Sequence, residues 1–516
     1  MKRIYIISDL HLGGRPDARD TSGQIVRPGF QICHAYAPLT AFIDWVGREA
    51  EAFSGDTEIV INGDIVDFLA DDDFDHPSLG AAIWTSNEAD ATTKLDRIIA
   101  RTRADNPRGP FDALRDFVAK GGLLTLMLGN HDVELALPSV RRHLQVVLEA
   151  RGGRLNLIYD GEAYVCGDLL IEHGNRYDPW NTIDHSALRQ ERSMLSRGLA
   201  VDENERRGRY FLAPAGTLMV IHLINHLKRQ YRFVDLLKPE TGAVIPLLLA
   251  LNLNLGELLQ DILALTPVVL WRKRRGRLVS PVKPAWRGNL KPGQADHLSS
   301  LDEVLEDILG KDAALFPLEL RRRKGDLSPA SGFLTRLNRL AEKARKISEA
   351  AGYAANLFNI YLAPSEQKRI ERLHVALRIL CADFSFDITR EHPDYLEAAT
   401  ALIDTGKFST VVFGHTHLPK QVNVQTDSGK TGGYLNTGTW ADVIRLPEQI
   451  MGSDEAAAKA LTEFIEAMST NSFDSYVRRY LSYVEATLEN NLLTQTNLYS
   501  FCGAGAEREA PLTEFR

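Results

Sequence analysis

The chain has 516 residues, of which 44% are hydrophobic and 25% are charged, a composition typical of folded globular proteins rather than of disordered ones. Its net charge of -8 argues against a surface coated with positive charge for nonspecific binding to nucleic acid, although it is compatible with a local basic groove. The length allows two to four domains, or one domain with a large insertion.

The first part of the chain alternates between predicted strands and predicted helices. Buried apolar runs predict strands at residues 3–8, 58–62, 123–128, 154–159 and 163–172. Helical periodicity predicts helices at residues 37–52, 91–103, 110–120 and 138–151. This rhythm predicts a fold of the α/β class, an α/β sandwich.

Strand patterns nearly disappear after residue 186, where helical stretches, basic clusters and prolines predominate. Residues 186–392 are therefore predicted to form a helical insertion, a cap or membrane-contact domain, between two parts of the core at 1–185 and 393–450. The second part of the core is predicted to contain a helix at 393–405, a strand at 409–413 and a hairpin of 420–426 with 433–437. Residues 451–516 are predicted to be a helical extension.

Five short polar motifs each follow a predicted strand. They are Asp9-Leu10-His11, Gly63-Asp64-Ile65-Val66-Asp67, Gly129-Asn130-His131-Asp132, His173-Gly174 and Gly414-His415-Thr416-His417. Because ligand groups gather at the carboxyl ends of strands in open α/β sheets, loops that are distant in sequence can converge there. Carboxylate, imidazole and amide ligands without cysteine suit divalent ions such as Mn²⁺, Fe²⁺ or Zn²⁺ and argue against a structural zinc site.

Each motif alone has an ordinary structural explanation. An Asp-x-His is more often a turn or a helix cap, and the glycine-led motifs can be turns that start the next element. Two imidazoles after an apolar strand, as in His415 and His417, have little use in packing. All five motifs in order, each after a strand, favour a metal site. Its seven candidate ligands exceed the need of one ion and predict a site for two: Asp9, His11, Asp64, Asn130, His173, His415 and His417.

The set DxH, GDxxD, GNHD, a single His and GHTH resembles the calcineurin-like metallophosphoesterase superfamily over residues 1–185 and about 393–445. Within it, ISDLHLG, GNHD and HGNRYDP most resemble the bacterial branch that contains the UDP-2,3-diacylglucosamine pyrophosphatases of lipid A synthesis. His131 departs from those enzymes, which usually carry arginine there, and gives the motif its general superfamily form. The resemblance implies a metallophosphoesterase sandwich of two mixed sheets flanked by helices.

The resemblance also implies roles for the site residues. One ion would be bound by Asp9, His11 and His417, the other by Asn130, His173 and His415, with Asp64 bridging. His131 would stabilise or protonate the leaving group, Asp67 would orient a histidine, and Asp132 would lie beside them. The implied reaction is hydrolysis of a phosphodiester or pyrophosphate bond by in-line attack of a metal-bridging hydroxide, with Mn²⁺ the favoured metal and Fe²⁺ or Zn²⁺ the alternatives.

The loop after His173 supplies two candidate substrate-binding residues, Asn175 and Arg176. The guanidinium fork of Arg176 can hold a phosphate. An equally weighted alternative is that Arg176 forms a surface ion pair with Asp178 or Asp184.

The insertion contains an unusually apolar stretch, residues 243–271, followed by Arg272-Lys273-Arg274-Arg275. This pattern suits peripheral membrane contact through 243–277, although a buried helical core with a basic connector is the favoured explanation. No run of about 18 uncharged apolar residues occurs, so no transmembrane helix is predicted. Cysteines that are far apart, at 33, 166, 381 and 502, predict reduced thiols and a cytoplasmic protein, with peripheral contact at the inner membrane surface as an option.

Three functions follow from these expectations. The first is hydrolysis of a phosphorylated small molecule, in particular a nucleotide-linked pyrophosphate with or without an attached lipid. The second is a nuclease or cyclic-nucleotide phosphodiesterase, which would use the same metal core on a different substrate. The third is a non-catalytic metal-binding scaffold, which ranks last because every ligand position is filled.

Overall fold

The computed structural model describes residues 1–70, 87–199, 211–251, 360–380 and 386–503, with short gaps in all but the last range, and Leu512. The described strands, in chain order, are β1 (Lys2–Ile7), β2 (Leu12–Gly13), β3 (Ala18–Arg19), β4 (Ile25–Arg27), β5 (Asp56–Asn62), β6 (Val66–Asp67), β7 (Leu123–Met127), β8 (Leu155–Ile158), β9 (Tyr164–Cys166), β10 (Leu169–Ile171), β11 (Leu237–Lys238), β12 (Thr410–Phe413), β13 (Lys420–Gln425), β14 (Thr431–Asn436), β15 (Val443–Arg445), β16 (Val477–Arg478), β17 (Ser482–Glu489) and β18 (Leu492–Ser500). The described α-helices are α1 (Tyr36–Ala52), α2 (Glu88–Arg101), α3 (Pro110–Ala119), α4 (Pro138–Val147), α5 (His185–Leu195), α6 (Ala215–Met219), α7 (Asn225–Lys228), α8 (Glu366–Leu380), α9 (Pro393–Asp404) and α10 (Glu455–Ser469).

Two mixed sheets form the centre of the fold. The first sheet has the strand order β18-β17-β1-β5-β7-β8, in which β1, β5, β7 and β8 run parallel and β17 runs antiparallel to β1. The second sheet has the order β13-β14-β12-β10-β9, with β10, β12 and β14 parallel and an antiparallel strand at each edge. In each sheet, several parallel strands therefore have their carboxyl ends at the same edge.

The two sheets pack face to face, with helices on their outer faces. Ile4 and Ile6 of β1 share one buried cluster with Leu169 and Val412 of the second sheet. Tyr5, which alternates with them, faces a second cluster that contains residues of α1 and α3. A third cluster places the other face of the second sheet against α9. The expectation of an α/β fold with mixed sheets flanked by helices is confirmed.

The first helix shows how the outer layer is built. The buried side chains of α1 recur at Leu39, Phe42, Ile43 and Val46, which is the spacing of one helical face. Because strands covered on both faces need apolar residues at every position, β1 has an uninterrupted apolar run instead of an alternating one. These two patterns explain why the elements of the first part of the chain lie close to their predicted positions.

The described start of the predicted insertion packs on the core. Phe211, Leu218 and Phe233 belong to the largest buried cluster, and β11 pairs in parallel with β15. Most of the predicted membrane-contact segment, residues 243–277, lies outside the described residues. At the beginning of this segment, Val244 and Leu247 are buried in the same cluster. In the part of the chain that the structure covers, no helix combines the length and apolarity needed to cross a bilayer. The described cysteines, Cys33, Cys166 and Cys502, are free, whereas residue 381 lies outside the described ranges.

The C-terminal region corrects one prediction. Residues 455–469 are helical, as expected, but the prediction of a helical extension over 451–516 is wrong beyond that helix, because β17 and β18 form a hairpin that extends the first sheet. Val484 and Ala486 face the space between the sheets, while Tyr483 packs on the helical side, so the period is two residues rather than 3.6. Asn490 and Asn491 both have positive φ, at 51° and 64°, as a two-residue type I′ turn requires.

Candidate metal centre

The five polar motifs lie together at the carboxyl ends of strands from both sheets. Asp9 and His11 follow β1, Asp64 follows β5, and the segment that begins at Gly129 follows β7. His173 follows β10, and the segment of His415 and His417 follows β12. The first sheet thus provides one half of the cluster and the second sheet provides the other half.

One group of side chains contains Asp9, His11 and His417. The His417 Nε2 atom lies 3.4 Å from Asp9 Oδ1 and 2.9 Å from His11 Nε2, and His11 Nε2 lies 4.0 Å from the same Asp9 oxygen. Side-chain exposure is 0% for Asp9 and His11 and 14% for His417. These three side chains can hold one metal ion.

A second group contains Asp64, His173 and His415, whose ligand atoms all lie within 4.8 Å of one another. His173 Nε2 lies 3.2 Å from Asp64 Oδ2, and the same oxygen lies 3.8 Å from His11 Nε2 in the first group. Asp64 therefore stands between the two groups, in the position that a bridging carboxylate needs. His131 also lies within 4.8 Å of His11 and Asp64 by its ring nitrogen, so geometry alone allows it as a ligand.

Several buried polar atoms of these side chains have no hydrogen-bond partner among the described residues. They are His11 Nδ1 and three atoms that could each serve as a metal ligand, Asp9 Oδ1, Asn130 Oδ1 and His173 Nε2. Buried polar atoms are nearly always satisfied, so three orphans in one cluster indicate a missing ligand. An oxygen-preferring or borderline divalent cation would satisfy all three, because carboxylate, amide oxygen and imidazole are its usual donors. The residues present therefore fit a pair of divalent ions.

The backbone around the cluster adopts a conformation that ordinary residues avoid. Positive φ angles occur at Asp9, His11, Asp64, His415 and His417, between 43° and 71°. Residues other than glycine rarely adopt this left-handed region, with asparagine, aspartate and histidine the most frequent exceptions, and such conformations concentrate at functional sites. Gly129 allows the close approach of the chain to Asp64, because a Cβ at this position would overlap the Asp64 carboxylate.

A second set of contacts orients the candidate ligands. His173 Nδ1 bonds to the Asn62 carbonyl at 2.7 Å, which leaves Nε2 for a metal. Asp67 lies 3.2 Å from His131 Nδ1 and 3.6 Å from His11 Nδ1, within reach of both rings. Asp132 accepts hydrogen bonds from the backbone N–H groups of Ile65 and Gly129, at 2.8 and 2.7 Å. Each carboxylate oxygen of Asp132 thus accepts a hydrogen bond from one of two ligand loops, so neither oxygen is free to face the cluster.

Electrostatic interactions among these groups are strong. Burial raises the pKa of Asp9, but His173 and His417 outweigh that effect and lower it to about 2. Burial disfavours the charged imidazole of His131, but Asp67 and Asp64 raise its pKa to about 9. Burial and the charge of Asp64 raise the pKa of Asp132 to about 8. Burial and Lys238 lower the pKa of His417 to about 4, which keeps its imidazole in the neutral form that binds metals.

The two predicted substrate residues are not part of the cluster of ligand atoms. Arg176 Nε pairs with Glu172 at 3.0 Å, and its guanidinium also donates to the Gly161 carbonyl. Asn175 Nδ2 donates to the Asn181 carbonyl at 2.9 Å. Both residues shape the loop beside His173.

Sequence reasoning missed one site residue. Asp178 Oδ2 lies 3.2 Å from His415 Nε2, and Asp178 also accepts from the side chain of Asn181, which approaches Asn130. In the sequence, Asp178 was visible only as a nearby acid for Arg176. Its position within the HGNRYDP segment, directly after a ligand, was the available signal.

The comparison with known proteins adds no relative. Neither a scan against models of protein families nor a search of functionally curated proteins finds a match to this chain.

Proposed function

We propose that this chain is a hydrolase of the calcineurin-like metallophosphoesterase type that cleaves a phosphodiester or pyrophosphate bond with two divalent metal ions, Mn²⁺ being the favoured metal. One observation carries the proposal. Asp64 Oδ2 lies 3.2 Å from His173 and 3.8 Å from His11, so a single carboxylate reaches both groups of ligands. The unpartnered Asp9, Asn130 and His173 atoms support the same conclusion.

When bound, the two ions would lower the pKa of water and neutralise phosphoryl oxygens. The chain's own residues determine where the substrate can approach. Asp9, His11 and Asp64 are fully buried, whereas the side chains of His131 and His417 are 19% and 14% exposed. The scissile phosphate would therefore enter from the side on which His131 and His417 lie.

His131 is placed to handle the proton of the leaving group. Its Nδ1 is held by Asp67 at 3.2 Å, and its raised pKa keeps the ring protonated at neutral pH. A protonated imidazole donates from both nitrogens, so Nε2–H remains available toward the substrate. His131 would donate this proton to the oxygen that departs from phosphorus.

For the substrate, we propose a nucleotide-linked pyrophosphate, with or without an attached lipid, in the cytoplasm. The support is the resemblance of the segments around Asp9 and His173 to the UDP-2,3-diacylglucosamine pyrophosphatases. A panel of UDP-linked lipid, bis(p-nitrophenyl) phosphate, cyclic nucleotides and DNA, each assayed with Mn²⁺, tests this choice. Turnover of DNA or cyclic nucleotides alone would replace it with the nuclease or phosphodiesterase function.

The first prediction concerns His131→Ala. We expect kcat for bis(p-nitrophenyl) phosphate to fall by about a hundredfold or more, since a positioned proton donor contributes on that scale. Metal content, measured by elemental analysis, should stay at that of the unaltered protein. The matched control is His143→Ala, a histidine that pairs with Asp96 on the surface and should leave turnover unchanged.

Two outcomes would contradict this assignment in different ways. Unchanged kcat in His131→Ala would remove the proton-donor role. Loss of one metal ion in the same variant would make His131 a ligand. Absence of all Mn²⁺-dependent hydrolysis in the unaltered, metal-loaded protein would favour the scaffold instead.

A further inference from the structure

A cavity of about 330 Å³ lies between α4 and β8, and none of its lining residues belongs to the metal centre. Its wall combines cationic and polar side chains with apolar ones. The wall includes Arg141, Arg142, Gln145, Leu155, Leu157 and Tyr159. Its volume falls at the lower end of the range for small-molecule sites, roughly 300–1,000 Å³.

Two arginines contact the ring of Tyr159. The guanidinium carbon of Arg141 lies 3.6 Å from the ring centroid, and that of Arg192 lies 4.6 Å from it. Arg141 lines the cavity, whereas Arg192, on α5, approaches the ring without forming part of the lining. Both guanidinium groups therefore contact the same aromatic ring.

Neither arginine forms an ion pair within 4.0 Å of a carboxylate in the part of the chain that the structure describes. The Nε atom of each is buried and has no hydrogen-bond partner there. Arg103 and Arg108, by contrast, each hold a carboxylate oxygen at 2.7 Å. Among the described residues, Arg141 and Arg192 have no carboxylate at such a distance.

This arrangement costs free energy in the absence of an anion. Arg192 is only 8% exposed, and burying a charge without a counter-charge is unfavourable. Burial and repulsion from Arg141 both lower the pKa of Arg192, and the opposing influences of Tyr159 and Asp160 do not reverse this. Cation–π contacts with Tyr159 offset part of the cost.

We propose that this cavity binds the phosphate group of a small phosphorylated molecule, with Arg141 and Arg142 as its direct contacts and Arg192 as a buried source of positive charge. A guanidinium fork matches the geometry of phosphate oxygens. Leu155 and Leu157 provide an apolar wall for the organic part of the ligand. The site is separate from the metal centre and does not depend on its chemistry.

The test uses the full-length, Mn²⁺-loaded protein and two probes, inorganic phosphate and phenylphosphonate, titrated by calorimetry. Phenylphosphonate has no ester bond to hydrolyse and adds an apolar ring, so it should bind more tightly than phosphate. We expect a dissociation constant below about 1 mM for phenylphosphonate, and binding that persists after the ions are removed by a chelator. Persistence distinguishes the cavity from the metal centre.

The variants are Arg141→Gln and, as the matched control, Arg154→Gln, whose side chain donates to the Gly121 carbonyl outside the cavity. Arg141→Gln should weaken phenylphosphonate binding at least tenfold, while Arg154→Gln should leave it unchanged. Arg192→Met, which keeps the packing volume, should weaken binding without lowering the unfolding temperature. Hydrolysis of bis(p-nitrophenyl) phosphate should be unaffected in all three. Binding that disappears with the chelator, or is unchanged in Arg141→Gln, would overturn the proposal.

Discussion

At the scale of single residues, hydrogen bonds hold the candidate ligands in their strained conformations. One oxygen of Asp9 accepts from the backbone N–H of His415 at 2.9 Å and from the Ser8 hydroxyl, which aims the other oxygen at His417. One oxygen of Asp64 accepts from the backbone N–H of His131 at 2.8 Å, which aims the other at His173. Each of these two carboxylates is thus oriented by hydrogen bonds within the protein itself.

The proton on His131 predicts a pH dependence. A pKa raised to about 9 means that the ring stays protonated up to that pH, and bound cations would lower the value. Because the proposed role needs the protonated form, kcat should fall as pH rises through an apparent pKa at or below about 9. Turnover of bis(p-nitrophenyl) phosphate measured across pH should show this descending limb in the unaltered protein. A limb of the same position and depth in His131→Ala would assign it to another group.

At the scale of elements, the β17–β18 hairpin shows what sequence patterns cannot decide. Leucine, alanine and glutamate favour helices, and residues 477–493 contain enough of them to suggest one. Their strand conformation comes from pairing with β1, where Glu485 lies opposite Tyr5. Tertiary pairing overrides local propensity, and no local window contains the partner strand.

Other elements were predictable because their signals are local. The strands β1, β5 and β7 each contain a short run of apolar residues, and α1 repeats its buried residues with helical spacing. The convergence of ligand residues was predictable as well, since each follows a strand. The contact between Asp178 and His415 was not, because it depends on how the loop after β10 folds against the loop after β12.

The hairpin turn supports a prediction about stability. Asn491 has φ of 64°, a conformation that glycine adopts freely and a β-branched residue does not. Asn491→Gly should preserve or raise the unfolding temperature, whereas Asn491→Val should cost about 1–2 kcal/mol. Thermal unfolding of both variants, followed by circular dichroism, measures the difference. Equal unfolding temperatures would contradict the turn geometry.

At the scale of the whole molecule, the candidate metal centre lies between the two sheets. Its candidate ligands come from the carboxyl ends of β1, β5 and β7 on one side and of β10 and β12 on the other. Ions that bind only the folded chain stabilise it, by about 2.7 kcal/mol at a hundredfold excess over the dissociation constant. Ions bound at this cluster should therefore connect the two halves of the sandwich.

This connection predicts a metal-dependent stability. Mn²⁺ should raise the unfolding temperature of the chelator-treated protein, and the rise should grow with Mn²⁺ concentration. Asp64→Asn removes the charge shared by both ligand groups and should abolish most of the rise. His34→Ala changes a half-exposed histidine that pairs with Asp442 and should leave the rise intact. A rise in Asp64→Asn as large as in the unaltered protein would contradict the proposed site.

The pairing of β1 with β17 has a consequence for the order of folding. β1 lies inside its sheet, and it meets one of its two neighbours across 480 residues of chain, where Tyr5 pairs with Glu485. Contacts between residues so far apart in sequence form slowly. Until β17 arrives, β1 presents an open edge, the kind of surface that invites pairing with other chains, and chaperones that shield such edges should slow aggregation during refolding.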